Sequence, residues 1–223
     1  LPFLIRSGAG SGAGVSPSGG ETVVNTDPVR PAAVDRPFDL PADLPVPIDD
    51  GACRHLEGAS IPRLALPSTN GRQVSLRGES IRRTIVLFAY PRTGAPGKPA
   101  PPGWDAIPGA RGCTPQTCAF RDLNSEFEKA SARVFGLSVQ SPDYQREMVS
   151  RLHVPFEVLS DDDYRLQKAL RLPTFKFGHD TLLKRVTLVV RGGRIMKVFY
   201  PVFPPDRNAS DVLDWLRTSN TGP

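Results

Sequence analysis

Cysteine and histidine are scarce in this chain of 223 residues, which has three of each. An odd number of cysteines, with one close pair, suits a reducing compartment and catalytic thiols better than a disulfide scaffold. A cytoplasmic location is the resulting expectation. His55, His153 and His179 show no spacing with one another or with the cysteines that would make a zinc site, so no metal is implied. The apolar stretch Leu1 to Ile5 is too short for a membrane span or an intact secretory core, and membrane association is not expected. Net charge is +5, yet the basic residues are scattered without interleaved aromatics. They read as a solvated surface, and nucleic acid is not an expected partner.

Residues 1–50 lack a periodic apolar pattern and are rich in Gly, Ala, Ser and Pro, which reads as a flexible low-complexity segment. The run Gly8-Ala9-Gly10-Ser11-Gly12-Ala13-Gly14 is not a dinucleotide fingerprint, because no strand precedes it and no helix pattern follows. A hydrophobic content of 39% suffices for one core plus a tail, with the single domain expected over 51–219.

What the chain does have is Gly112-Cys113-Thr114-Pro115-Gln116-Thr117-Cys118-Ala119-Phe120-Arg121-Asp122. Before it, Thr84 to Tyr90 is a β-branched and aromatic run, the pattern of a strand buried on both faces of a parallel sheet. After it, Phe120, Leu123 and Phe127 recur at helical spacing among polar residues. Cys113 therefore begins a helix, where unpaired N–H groups and the macrodipole favour thiolate over thiol. Pro115 is tolerated in the first turn. On an intact helix residues five apart lie roughly 8.6 Å apart between Cα atoms, beyond the ~7 Å a disulfide permits. Cys113 and Cys118 can bond only if the first turns unwind. The bland alternative is a small buried hydrophobe at Cys118 and an incidental surface thiol at Cys113.

Tyr90-Pro91 after an apolar strand, followed by the eleven residues above, resembles the active site of Q-type peroxiredoxins, also called bacterioferritin-comigratory proteins. The resemblance runs from about Gly58 to Leu216 through Val134-Phe135-Gly136-Leu137-Ser138, Ser141-Pro142 and Phe156-Glu157-Val158-Leu159-Ser160-Asp161. It implies an α/β, thioredoxin-like fold with a central mixed sheet flanked by helices. It also implies a thiol-dependent peroxidase with Cys113 as peroxidatic and Cys118 as resolving cysteine. The implied substrates are hydrogen peroxide or organic hydroperoxides, with thioredoxin or a similar dithiol as reductant and no cofactor. A local disulfide requires no second subunit, so a monomer is compatible.

Arg185, opening Arg185-Val186-Thr187-Leu188-Val189-Val190, matches the family's arginine beside the peroxidatic sulfur; the other reading is a solvated strand-end cation. An always-charged guanidinium can stabilise a thiolate and hold a peroxide oxygen. The family's threonine hydroxyl, three residues before the cysteine, is replaced by Ala110. Thr93, close after the strand, is expected to supply that hydroxyl, while the segment between it and Cys113 loops away; the other reading is an ordinary turn residue. This insertion has six prolines from Pro91 to Pro108, which excludes a helix or central strand. Trp104 within it is an anchor for the loop, or alternatively a lid over the peroxide pocket.

Cys53 is expected to be structural. Further expectations are a hairpin from Arg63 to Leu76 around Asn70-Gly71, a hairpin turn at Arg191-Gly192-Gly193-Arg194, and Asn208 as N-cap of the final helix. From Val134 the expected order is strand, helix, strand, helix, two strands and a last helix. A thioredoxin-fold redox sensor or interaction protein with little turnover is the alternative function, kept open by Ala110. A general disulfide reductase is disfavoured because four residues, not two, separate the cysteines.

Overall fold

The computed structural model describes residues 40–219. Most of the expected flexible segment 1–50 thus lies outside the described residues. Of its described part, Asp50 accepts hydrogen bonds from Lys184 Nζ at 2.7 Å and Tyr200 Oη at 2.8 Å.

In chain order the first elements are β1 (Leu66–Pro67), β2 (Gln73–Val74), α1 (Leu76–Arg82), β3 (Thr84–Ala89), α2 (Cys113–Asp122) and α3 (Asn124–Lys129). There follow β4 (Ala132–Ser138), α4 (Pro142–Arg151), β5 (Val158–Ser160) and α5 (Arg165–Leu170). The chain then forms β6 (Thr174–Phe177), β7 (Asp180–Leu183), β8 (Val186–Arg191), β9 (Arg194–Phe199) and α6 (Asn208–Ser219). Five strands form one sheet in the order β5-β4-β3-β8-β9. β3, β4 and β5 are parallel, while β8 runs antiparallel to β3 and β9 antiparallel to β8. This is the mixed sheet flanked by helices that a thioredoxin-like fold requires.

β3 is central and buried along its whole length. Its side chains alternate between two apolar layers, as the period of two demands. Ile85, Leu87 and Ala89 pack with Leu56, Leu76, Leu166 and Leu188 on one face. Val86, Phe88 and Tyr90 pack with Cys113, Phe120, Phe127 and Leu213 on the other. Phe88 stacks on Phe120 with ring centroids 4.3 Å apart and meets Phe156 edge-on at 5.7 Å. The aromatic layer thus carries α2 on the sheet.

The hairpin expected around Asn70-Gly71 forms as a short ladder, Leu66 opposite Val74 and Pro67 opposite Gln73, with Gly71 at φ +77°. The turn between β8 and β9 likewise uses Gly192 and Gly193 at positive φ. Three expectations need correction. The single helix through Phe120, Leu123 and Phe127 is two, because Leu123 leaves helical geometry at φ −98°, ψ 7° while Phe127 stays stacked on Phe120. An additional hairpin, β6–β7, stands before β8, where only two strands were expected after α5. Asn208 is the first residue of α6, follows a 3₁₀ turn over Pro205–Arg207, and turns its amide inward rather than capping.

Glu157, buried just before β5, accepts from Arg72 Nε at 2.9 Å and Arg133 Nη2 at 2.8 Å. Burial pushes this carboxyl up, but the hydrogen bonds of Arg72 and Ser68 and the charges of Arg72 and Arg133 outweigh it, holding it below the usual range. A depressed carboxyl stabilises the fold above its unfolded pKa of about 4.3, and the stabilisation is lost as pH falls through the folded value. Glu157→Gln is expected to cost about 1–3 kcal/mol at neutral pH. Chemical denaturation from pH 7 to pH 3 should show the difference between variant and parent closing below about pH 4.

Candidate active site

Cys113 is the first residue of α2, at the Ala89 end of β3, and its side chain is buried. Gly112 enters the helix at φ +102°, a left-handed conformation; an added Cβ would collide with the Pro205 ring and press on Leu40 Cδ2 at 3.1 Å. Glycine is thus required on both backbone and packing grounds. The helix closes with Gln116 N–H donating to Gly112 O at 3.0 Å, and Thr117 Oγ1 donates to Cys113 O at 2.9 Å.

Arg185 stands just before β8 and is 3% exposed, which rules out the solvated strand-end cation. Its Nη2 donates toward Cys113 Sγ at 3.4 Å and toward the carbonyls of Gly109, Ala110 and Arg111 at 3.3, 3.4 and 3.1 Å. Its Nη1 donates to Gln116 Oε1. Gln116 Nε2 passes the chain on to Asn208 Oδ1 at 2.9 Å, which also accepts from Thr187 Oγ1 at 2.6 Å. A buried charge is tolerated only when most of its donors are matched, and here three turned-in carbonyls and an amide match the two Nη groups. The guanidinium is thereby held beside the sulfur.

Gln116 and Asn208 are the positioning residues that sequence reasoning missed. The signal for Gln116 was its place one turn after Cys113 inside the motif. Asn208 had no such signal, because 92 residues separate the two amides.

Cys118 lies in the apolar layer with Phe88 and Phe120. Burial pushes its thiol up, against the pull of Arg121, and α2 runs unbroken across both cysteines. All three cysteines are free thiols. Cys53 is also buried and is pushed up to about 12, by burial first and then by Asp50 and Asp49.

Thr93 does not meet the sulfur. Its hydroxyl donates to Gln140 Oε1 at 3.2 Å, its N–H donates to the same oxygen at 2.8 Å, and its carbonyl accepts from Tyr144 Oη at 3.0 Å. Among the described residues no hydrogen bond joins Thr93 to Cys113. The physical reason is its place directly after β3, beside the exit of β4, where Gln140 satisfies both of its donors. Ala110 is fully buried and offers the sulfur only its carbonyl, 3.7 Å away.

The insertion between these positions has turns, bends and irregular chain but no helix or strand, as its prolines require. Trp104 is its anchor: the ring is buried and meets Phe177 edge-on at 5.0 Å and Phe175 at 6.1 Å, with the Arg92 guanidinium 5.2 Å above it. The β6–β7 hairpin absent from the expected order therefore supplies the platform for this loop. A surface cavity of about 590 Å³ lies at the opposite, Thr84 end of β3, among Arg82, Arg83, Lys129 and Arg191. It takes no part in the thiol site.

The family model Redoxin matches residues 56–214. A chloroplastic peroxiredoxin Q of Sedum lineare is 30% identical over 163 residues, covering 73% of this chain and 78% of the relative. One from Gentiana triflora is 28% identical over 185 residues, covering 80% and 77%. The crystal structure of peroxidoxin BcpB from Mycobacterium tuberculosis superposes with a TM-score of 0.60 at 24% identity, covering 73% of this chain and 97% of that one. That likeness concerns the fold. Together with a helix-opening cysteine faced by a buried arginine, the match places this chain among the Q-type peroxiredoxins of the thioredoxin-like superfamily, enzymes that reduce peroxides with a thiol.

Proposed function

We propose that this peroxidase reduces hydrogen peroxide and small organic hydroperoxides through Cys113, and that its oxidised form is a Cys113–Cys118 disulfide. The observation that carries the reading is Arg185 Nη2, buried and 3.4 Å from Cys113 Sγ. The Cys113 thiolate attacks one peroxide oxygen, an S–O bond forms as the O–O bond breaks, and the alcohol or water leaves with a proton. Cys113 becomes a sulfenic acid. Cys118 then attacks that sulfur as its own proton is lost, the S–S bond forms, and water departs. An external dithiol of the thioredoxin type restores both thiols by exchange. The exchange needs no second subunit.

Cys118 cannot reach Cys113 while α2 is intact, so the resolving step includes unwinding of the first turns of that helix. Releasing Cys118 from the Phe88–Phe120 layer exposes it to water and removes the burial that holds its thiol up. Oxidation of the wild type with one equivalent of peroxide is expected to give a disulfide joining the two peptides that carry Cys113 and Cys118, read by mass spectrometry. Cys118→Ser should oxidise at an unchanged rate but accumulate a dimedone-reactive sulfenic acid. A disulfide to Cys53, or between two chains, would overturn the local pairing.

A redox sensor with slow turnover is the second reading. It rests on Ala110 and on the engagement of Thr93 with Gln140, which leave the sulfur without a threonine hydroxyl. A wild-type oxidation rate close to that of free cysteine would favour it.

A further inference from the structure

Three buried side-chain polar atoms lack a hydrogen-bond partner among the described residues: Tyr90 Oη, Arg185 Nε and Gln145 Oε1. Buried polar groups are nearly always paired, so each such atom calls for an explanation. The first two belong to residues that flank Cys113. Tyr90 follows β3 directly, its N–H is fixed to Leu137 O at 3.0 Å, and its ring stacks at 5.9 Å on Phe88 in the layer that also holds Cys113. The residue is fully buried. Its hydroxyl forms no hydrogen bond to the Cys113 sulfur, so its proton is uncommitted in the resting site.

We infer that Tyr90 supplies the hydroxyl donor to the bound hydroperoxide that neither Ala110 nor Thr93 supplies. The inference rests on the peroxidase reading above and assigns one further role within it. Displacement at a peroxide by a thiolate develops negative charge on the departing oxygen, and a preorganised donor at that oxygen lowers the barrier. Arg185 is one such donor, held beside the sulfur. A phenol can be the second only if it stays protonated. Burial ensures this by pushing the Tyr90 phenol far up, with the Cys113 and Tyr144 charges acting in the same direction. The peroxide oxygen would end the isolation of the orphaned hydroxyl, so that its hydrogen bond exists only in the loaded site.

Tyr90→Phe retains the ring and deletes the donor. The second-order rate constant for oxidation by hydrogen peroxide, followed by stopped-flow tryptophan fluorescence, is expected to fall about 10²-fold. The rate of Cys113 alkylation by iodoacetamide, which has no peroxide oxygen to receive the bond, should be unchanged. The unfolding midpoint should hold or rise, because an unpaired buried hydroxyl is lost from the resting state. A merely structural tyrosine would do the reverse, lowering the midpoint with little effect on the peroxide rate. Wild-type and Tyr90→Phe proteins that react equally fast with peroxide would overturn the role of Tyr90 while leaving the peroxidase reading intact. Equal falls in the peroxide and iodoacetamide rates would overturn it too, by placing the effect on the thiolate. A wild-type rate no higher than that of free cysteine would instead overturn the peroxidase reading itself.

Discussion

Cys113→Ser is expected to lower the second-order rate of oxidation by hydrogen peroxide by about 10⁴-fold or more, the scale of losing the nucleophile from a preorganised site. A serine hydroxyl stays protonated at neutral pH and does not displace at peroxide oxygen. Neither remaining cysteine can take over. Cys53, pushed up to about 12 by burial and two aspartates, has a thiolate fraction of about one part in 10⁵ at pH 7. Cys118 is likewise held up by burial while α2 is folded. Stopped-flow fluorescence with excess peroxide checks the rate, and dimedone labelling with peptide mapping checks which sulfur is oxidised. Fast oxidation persisting in Cys113→Ser and vanishing in Cys118→Ser would move the nucleophile to the second cysteine.

Arg185→Met is expected to slow the same reaction by about 10²–10³-fold, the magnitude of removing one charged donor from developing negative charge. Methionine keeps much of the buried volume, so the loss isolates the guanidinium. It also leaves Gln116 Oε1 and the carbonyls of Gly109, Ala110 and Arg111 without their donor. A stability loss of about 2–4 kcal/mol should therefore accompany the rate effect. Rates should be measured at a temperature where denaturation curves show the variant fully folded. Arg185→Lys should not restore the rate, because a single ammonium cannot reach the sulfur, three carbonyls and the Gln116 amide together. A folded Arg185→Met protein with a wild-type rate would remove the arginine from the chemistry.

Much of the fold was legible. The Thr84–Tyr90 run became the central strand because β-branched and aromatic residues without interruption fit a position buried on both faces. Cys113 became a helix start because the helical spacing of apolar residues beyond it and a proline in the first turn both fit one there. Trp104 became an anchor because a loop so rich in proline has few backbone hydrogen bonds of its own and is ordered by aromatic packing. The β6–β7 hairpin was missed: its strands are only four residues long, Leu182 and Leu183 are their only buried residues, and Gly178 alone marks the turn.

The site divided along the same line. From residue types and local spacing alone, the chain determined that Cys113 opens a helix and that Cys118 is out of its reach while the helix stands; Arg185 was marked only by the family resemblance, across 72 residues. The first two depend on the 3.6-residue period and on neighbours within two turns. The tertiary structure alone decided that Thr93 is held by Gln140, that Gln116 and Asn208 orient the arginine, and that Tyr90 carries an unpartnered hydroxyl in the sulfur's own layer. Each of these depends on which groups meet across distant segments. A hydrogen bond depends on the three-dimensional positions of both partners, and pattern along a chain records only one of them.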